Sequence, residues 1–403
     1  MQTRNRKRTA TQSKLSLTSA GLNIKQSKID THSWKVEGSL AMRFPDNWLP
    51  TSKIASFDLD GTLINTKSGA KFAKSADDFL LFHPSIPTKL NQLHSDGFSL
   101  VIFSNQLGVS SKKLTLQSLQ SRIDSLLSIL DLPFAVYCAL DSDKFRKPCP
   151  AMLRSLSQQF NVDIDKENSF YVGDAAGRFD PDTKKKTDFS ASDRAFAQNC
   201  GLKFYTPEEF FLNEPVSTSF SFGYDPSNHF ERNLSNDYDL GSLIESRDQK
   251  IIVITGPPAS GKSSLVARSF LSNGFVSVSR DQLKTPAKVM STLETHVESK
   301  KTVVVDNTSP SVSSREPFIE VAKQHGIPIV SVVIKASKQV CAHLNSIRKC
   351  KGGRSVPPVA VHTFFKKFEE PSKNEGFDDV IILDFKPVLD SEKEADDFFM
   401  IYS

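Results

Sequence analysis

The stretch KIIVITGPPASGKSSLV, residues 250–266, constrains the fold of this chain more than any other. Its first six residues form a β-branched run suited to a buried parallel strand. Gly256 to Ser263 then satisfies G-x-x-x-x-G-K-[ST] at every fixed position, and a helical pattern follows. Gly256 and Gly261 allow a turn whose backbone N–H groups point inward at phosphate oxygens. The positive end of the following helix faces the same anion. Lys262 is placed to reach the β- and γ-phosphates, and the Ser263 hydroxyl to ligate Mg²⁺. Ser260 and Ser264 belong to the same stretch of expected ATP contacts. A strand, a phosphate loop and a helix in this order predict a parallel α/β unit that uses ATP as a phosphate donor.

The rest of the chain extends this pattern in both directions. Strands are expected at 275–280, 302–307, 328–334 and 379–385, giving a nucleotide-binding domain over 249–403. Upstream, apolar runs at 53–62, 98–106, 134–140 and 169–175 alternate with helical patterns, giving a first domain over 34–212. Both are expected to be doubly wound parallel sheets, with ligands beyond the carboxyl ends of the strands. Residues 213–248 read as a linker in which Tyr224 and Phe230 are candidates to pack on a domain. Residues 1–33 read as a basic, disordered tail. Its cluster of Arg4, Arg6, Lys7 and Arg8 suits a nuclear localisation signal, a DNA-contacting arm or a solvated tail.

Composition narrows the class. No apolar run approaches the ~18 residues of a membrane span, and the N-terminus has no apolar region of a secretory signal. The five cysteines show no C-x-x-C pair and no metal spacing, which points to a reducing compartment. The net charge of +5 permits nucleic-acid binding without requiring it.

Asp58-Leu59-Asp60-Gly61-Thr62 is the chemical centre expected for the first domain. Alternation along the strand sends both carboxylates to one face. Asp58, ionised beside Mg²⁺, is read as a nucleophile that attacks phosphorus and becomes an aspartyl-phosphate. Asp60 is read as the general acid for the leaving oxygen, then as the base. An acidic turn before a helix is the plainer alternative for the motif. Ser104, ending the second strand, offers a hydroxyl to a phosphate oxygen. Lys147 supplies a cation for the charge that develops on the transferred group. Asp174, ending the fourth strand, completes an oxygen shell for Mg²⁺.

These elements, in this order, resemble the haloacid dehalogenase superfamily of phosphatases. The resemblance implies that Asp58 and Asp174 bind Mg²⁺ through carboxylates and Asp60 through its main-chain carbonyl. Asp193, in DFSASDRAFA, resembles the second acid of the last motif of that superfamily. A helix N-terminal acid is the alternative reading of Asp193.

In the second domain, Asp281 follows a strand opposite the phosphate loop and suits a base for an acceptor hydroxyl, or a helix cap. Asp306, closing TVVVDNTSP, is the expected companion of the loop near Mg²⁺. Arg315 follows on the next helix as an additional candidate. Residues 343–354, with a Gly-Gly pair, suit a mobile lid whose Arg348 or Arg354 meets the ATP phosphates, or a solvated basic helix.

DLDGTL, the SNQ strand end, FRKP, GDAAGR, KKKTDFSASDRAFA, TPEEFF, GPPASGKSS, SRDQL, DNTSP and VPPVAVHTFFKKFEEPSKNEGFDDV together resemble one family, the bifunctional polynucleotide kinase 3′-phosphatases of DNA repair. The resemblance runs from about residue 34 to the C-terminus. It implies removal of a 3′-phosphate from DNA and ATP-dependent phosphorylation of a 5′-hydroxyl, giving ends a ligase can join; the enzyme is expected to be nuclear and monomeric. Ser104 stands where Thr is common, which keeps the hydroxyl. Animal members resemble the chain only after an additional forkhead-associated domain, for which residues 1–33 are too few. Lys184, Lys185 and Lys186 are candidates to hold the DNA backbone, or else a solvated loop. RNA-end healing by the same chemistry, and a DNA-end-binding scaffold with inactive sites, are the competing readings.

Overall fold

A computed structural model describes residues 34–402 apart from 46, 47, 49, 72, 74, 235, 236 and 247. The basic tail and its arginine cluster lie outside the described residues. The apolar runs that end in polar residues become strands Ile54–Phe57, Ser99–Asn105, Phe134–Ala139 and Phe170–Val172. They are mutually parallel and joined at one side by Lys203–Tyr205. The expected purely parallel sheet needs one correction. Lys35–Glu37 and Leu40–Arg43 form a hairpin that pairs antiparallel with Phe134–Ala139, so the seven-stranded sheet is mixed. Three- and four-residue strands leave too little alternation to be read from sequence.

Alternating side chains divide this domain's core into two layers. Phe57, Leu100 and Ile102 pack under the helix Leu116–Leu130, while Phe103, Tyr137 and Tyr171 face Met152, Leu156 and Phe196. Each fully buried side chain of this kind contributes about 1.5–3 kcal/mol. Leu59 is itself fully buried, and it anchors the turn on which Asp58 and Asp60 stand.

The second sheet has five strands, all parallel, in the order Val276–Ser279, Val303–Asp306, Ile251–Thr255, Ile329–Lys335, Asp379–Asp384. The central strand ends directly in the phosphate loop. Described residues within 213–248 pack on the second domain. Tyr224 and Phe230 pack beside Val340, Cys341 and Phe385, and Leu240 and Leu243 enter the core under Ile252 and Ile254. Among the described residues no helix is long and apolar enough to cross a membrane.

Two of the five cysteines meet in the fold although no sequence spacing pairs them. Cys149 and Cys350 form a disulfide across 201 residues, with Cα atoms 5.7 Å apart. Spacing rules see only neighbours in sequence, and this pair is created by the docking of one domain on the other. Further ties at the same contact are Lys349 Nζ to Ser142 Oγ, at 2.8 Å, and the paired bonds between Asn199 and the backbone of Ile401. Of the segment 343–354 read as a lid or a basic helix, residues up to Cys350 belong to the helix Lys338–Cys350, and 351–354, with the Gly-Gly pair, follow it outside any helix or strand.

Candidate active sites

The first site is built around Lys147, which is 3% exposed. Its ammonium donates to Asp58 Oδ1, Asp193 Oδ1 and the Tyr171 hydroxyl, each at 2.7 Å. Its backbone is clamped by Asn105, which accepts from Lys147 N at 2.9 Å and donates to Lys147 O at 3.2 Å. Burial alone would push the Lys147 ammonium down, but Asp193 and Asp58 outweigh it and hold its pKa above the ordinary lysine value.

Asp193 sits in the first turn of helix Ser192–Cys200 and also beside Lys147. Its Oδ1 is taken by Lys147 and its Oδ2 accepts from Ala175 N at 3.0 Å. Asp58, Asp174 and Asp193 offer oxygens within 4.8 Å of one another. Burial, partly offset by Lys147 and reinforced by Asp193, raises Asp58 to about 7. Burial, with Asp193 and Asp58 beside it, raises Asp174 to about 8. Acids crowded and raised in this way are a donor set suited to a hard divalent cation. With Asp193 engaged, Asp58 and Asp174 are the carboxylates left to hold it. Gly61 makes the approach possible: its φ is +81°, and a Cβ there would lie 2.6 Å from Asp174 Oδ2.

Ser104 is 1% exposed and accepts from Gln106 Nε2 at 2.9 Å, which leaves its own proton to donate. Asp60 accepts from Gln106 Nε2 at 2.7 Å and from Arg122 Nη1 at 2.9 Å. Arg146 Nη1 is buried without a partner. Sequence reasoning missed Gln106, Arg122, Tyr171 and Asn105. A signal existed for Arg122, a cation on the stripe Leu119, Ile123, Leu126 that faces the core. None existed for Tyr171, which reads as an ordinary strand aromatic. Lys184, Lys185 and Lys186 are exposed on an excursion closed by the Arg178–Asp188 ion pair, and the structure does not bring them into the acid cluster.

Removing the cation is expected to be costly. Lys147→Met leaves Asp58 and Asp193 buried without their partner, which should lower stability by roughly 3–5 kcal/mol. Urea unfolding followed by tryptophan fluorescence checks this, since Trp34 and Trp48 both lie in the first domain. An unchanged midpoint would contradict it.

The second site opens at the end of Ile251–Thr255. Gly261, at φ +86°, turns the chain into the helix Lys262–Leu265. Ser260 Oγ is buried without a partner. Ser263 Oγ donates to Asp306 Oδ2 at 2.7 Å, pairing a hydroxyl with the carboxylate of the neighbouring strand. Lys262 is bent back onto Pro257 O at 2.6 Å. Burial lowers it to about 8, against the pull of Asp306 and Asp281 and with the push of Arg348. Asp281 lies in the first turn of the helix Arg280–Leu283, whose N-cap position is held by Ser279 without a side-chain cap hydrogen bond, while Thr285 caps Pro286–Glu298 by accepting from Lys288 N. Arg348 and Arg354 are exposed. Beside Gly261 and Ser264 lies a cavity of about 270 Å³, walled by Leu344, Ile347, Phe385 and Phe398.

Arg315 needs correction as a site candidate. It is fully buried, forks onto Glu375 at 2.8 Å and donates to Ser309 O and Glu369 O. It pins the segment after the helix Pro358–Lys367 rather than facing a ligand, and its paired acid lies 60 residues away.

An aspartate bonded to a buried lysine on one sheet, and a nucleotide phosphate loop on another, suit a phosphotransfer enzyme with two centres. The pattern of the polynucleotide kinase 3 phosphatase family matches residues 53–211, and that of an AAA domain family matches residues 251–371. The chain is 37% identical over 368 residues to a bifunctional polynucleotide phosphatase/kinase of Schizosaccharomyces pombe, covering 91% of this chain and 88% of that one. It is 38% identical over 203 residues to a polynucleotide 3′-phosphatase of Arabidopsis thaliana, covering 46% of this chain and 28% of that one. The chain belongs to the bifunctional polynucleotide phosphatase/kinase family, with the phosphatase region preceding the region that carries the phosphate loop.

Proposed function

We propose that this enzyme converts broken DNA ends into ligatable ones within the nucleus, removing 3′-phosphates in a domain over 34–212 and phosphorylating 5′-hydroxyls in a domain over 249–403. The observation that carries the reading is the triple contact of Lys147 with Asp58, Asp193 and Tyr171. It aims one carboxylate at the site beside a fixed cation. Asp58 forms a bond to phosphorus as the bond to the 3′-oxygen breaks, and Asp60 gives its proton to that oxygen. Water then attacks the aspartyl-phosphate, Asp60 takes the proton, and inorganic phosphate leaves. Ser104 donates to a phosphate oxygen, and Lys147 offsets the growing charge.

Mg²⁺ fits the acids present, with Asp58 and Asp174 to hold it, joined in the resemblance by the Asp60 carbonyl; when bound it neutralises charge on the transferred group. In the kinase domain Ser263 and Asp306 suit the second ion. The N–H groups of Gly256 to Ser264, with Lys262, hold the ATP phosphates, the apolar cavity takes the base, and Arg348 or Arg354 meets the phosphates. Asp281 accepts the proton of the 5′-hydroxyl. Lys184, Lys185 and Lys186 hold the backbone leading to the phosphatase site. The test is a set of matched DNA and RNA oligonucleotides with 3′-phosphate or 5′-hydroxyl ends. Faster turnover of both DNA ends is expected, and faster turnover of RNA would overturn the choice of DNA.

The metal assignment predicts a pH signature in stability. Asp58 and Asp174 hold protons in the folded state that the unfolded chain releases above about pH 4. The folded state thus binds more protons between about pH 4 and 8, and this contribution to stability falls as pH rises through that window. A bound cation removes the penalty and must compete with those protons. The rise in melting temperature on adding Mg²⁺ to chelator-treated protein is therefore expected to be larger at pH 8 than at pH 5.5. A rise independent of pH would contradict the assignment.

A further inference from the structure

Arg122 lies in the middle of the helix Leu116–Leu130, on the stripe that buries Leu119, Ile123, Leu126 and Leu130. Its side chain is 4% exposed, and Nε is buried without a partner. An arginine in that setting loses its hydration, a cost that an aliphatic residue on the same stripe would avoid. What it gains is Asp60. Nη1 donates to Asp60 Oδ1 at 2.9 Å, and Nη2 lies 3.4 Å from Oδ2. Gln106 Nε2 bridges the same Oδ2, at 2.7 Å, to Ser104 Oγ. The Asp60 side chain is nevertheless 45% exposed, so one side of the carboxyl group is gripped from the core and the other opens on the cleft.

We propose that Arg122 is a positioning residue for the phosphatase reaction, fixing the Asp60 carboxyl group where it meets the leaving oxygen. This rests on the reading of Asp60 as the proton donor given above. A carboxyl group on a single χ1 rotor samples several staggered positions. The planar guanidinium fork selects one of them, because its two donors match the two oxygens. Gln106 ties that choice to Ser104, which serves the phosphate. Arg122 itself touches no reacting atom. Proton transfer matters most when the departing oxygen is a sugar alkoxide, and least when it is a nitrophenolate that leaves as a stable anion.

The leaving group therefore separates positioning from mere structural support. Single-turnover release of the leaving group, the 3′-hydroxyl oligonucleotide or p-nitrophenolate rather than inorganic phosphate, would be measured for a 3′-phosphate oligonucleotide and for p-nitrophenyl phosphate, so that the later hydrolysis common to both does not enter, with the thermal unfolding midpoint of each preparation as the check of folding. Arg122→Gln is expected to slow the oligonucleotide by about 10²-fold, within the range of general acid–base help, and the aryl ester by less than about threefold. Arg122→Lys keeps the charge in the stripe and loses the fork, so the same selectivity at a smaller size is expected. It carries the comparison if Arg122→Gln does not fold. Equal losses on both substrates, or no loss on either, would overturn the proposal. Asp60→Asn is the control. If it slows both substrates alike, the reading of Asp60 as proton donor falls, and this proposal with it. If Asp60→Asn shows the split and the Arg122 variants do not, only the present inference falls.

Discussion

Asp58→Asn should abolish removal of 3′-phosphates, by roughly 10⁴-fold or more, while leaving 5′-phosphorylation within about twofold, as expected for loss of a nucleophile in one of two independent centres. The amide matches the carboxylate in size and cannot form the acyl phosphate. The fold should not suffer, because Lys147 keeps Asp193 and Tyr171 as partners. Asp58 is held above the usual carboxylate range by burial, so its ionised form is a burden on the folded state at pH 8. The variant without added metal should thus melt no lower than the wild type at that pH. Activity lost with stability kept is the mark of a residue retained for chemistry. Retained 3′-phosphatase activity would remove Asp58 from the role.

In the kinase domain binding and chemistry should separate. Lys262 is buried in the loop with one of its three N–H donors on Pro257 O, which leaves donors for phosphate. Lys262→Ala should weaken both ATP affinity and phosphate transfer. Asp281 stands across the loop on an exposed helix and is proposed to meet only the acceptor hydroxyl. Asp281→Asn should leave ATP affinity nearly unchanged and lower turnover by about 10²–10⁴-fold. ATP titration with single-turnover 5′-phosphorylation resolves the two. Lost ATP binding with normal transfer at saturation would make Asp281 a nucleotide ligand, and Asp306 would become the candidate base.

Much of this architecture was legible because strand ends carry their chemistry locally. Asp58, Ser104, Asp174 and Asp306 each close an apolar run, and parallel sheets collect such ends on one edge. The loop Gly256 to Ser263 was readable from spacing alone, since its geometry is made by consecutive residues. What escaped were contacts made by distant segments. The pairing of Arg122 with Asp60 spans 62 residues and the disulfide 201. Arg315 shows the converse failure. A cation on the helix after an acidic strand end read as an additional site candidate, yet its partner Glu375 lies in a later turn and closes it inside the fold. The antiparallel hairpin at the sheet edge was missed because its strands are too short for a period to show.

The central claim is that one chain acts on both ends of a break through two separate centres. A nicked duplex with a 3′-phosphate and a 5′-hydroxyl, incubated with ATP and Mg²⁺ and resolved on a denaturing gel, tests it directly. The wild type should yield 3′-hydroxyl and 5′-phosphate termini that a DNA ligase seals. Asp58→Asn should yield only the 5′-phosphate, Asp281→Asn only the 3′-hydroxyl, and sealing should return when the two variants are mixed. Loss of both reactions in either single variant, or removal of the 3′-phosphate by Asp58→Asn, would contradict the account.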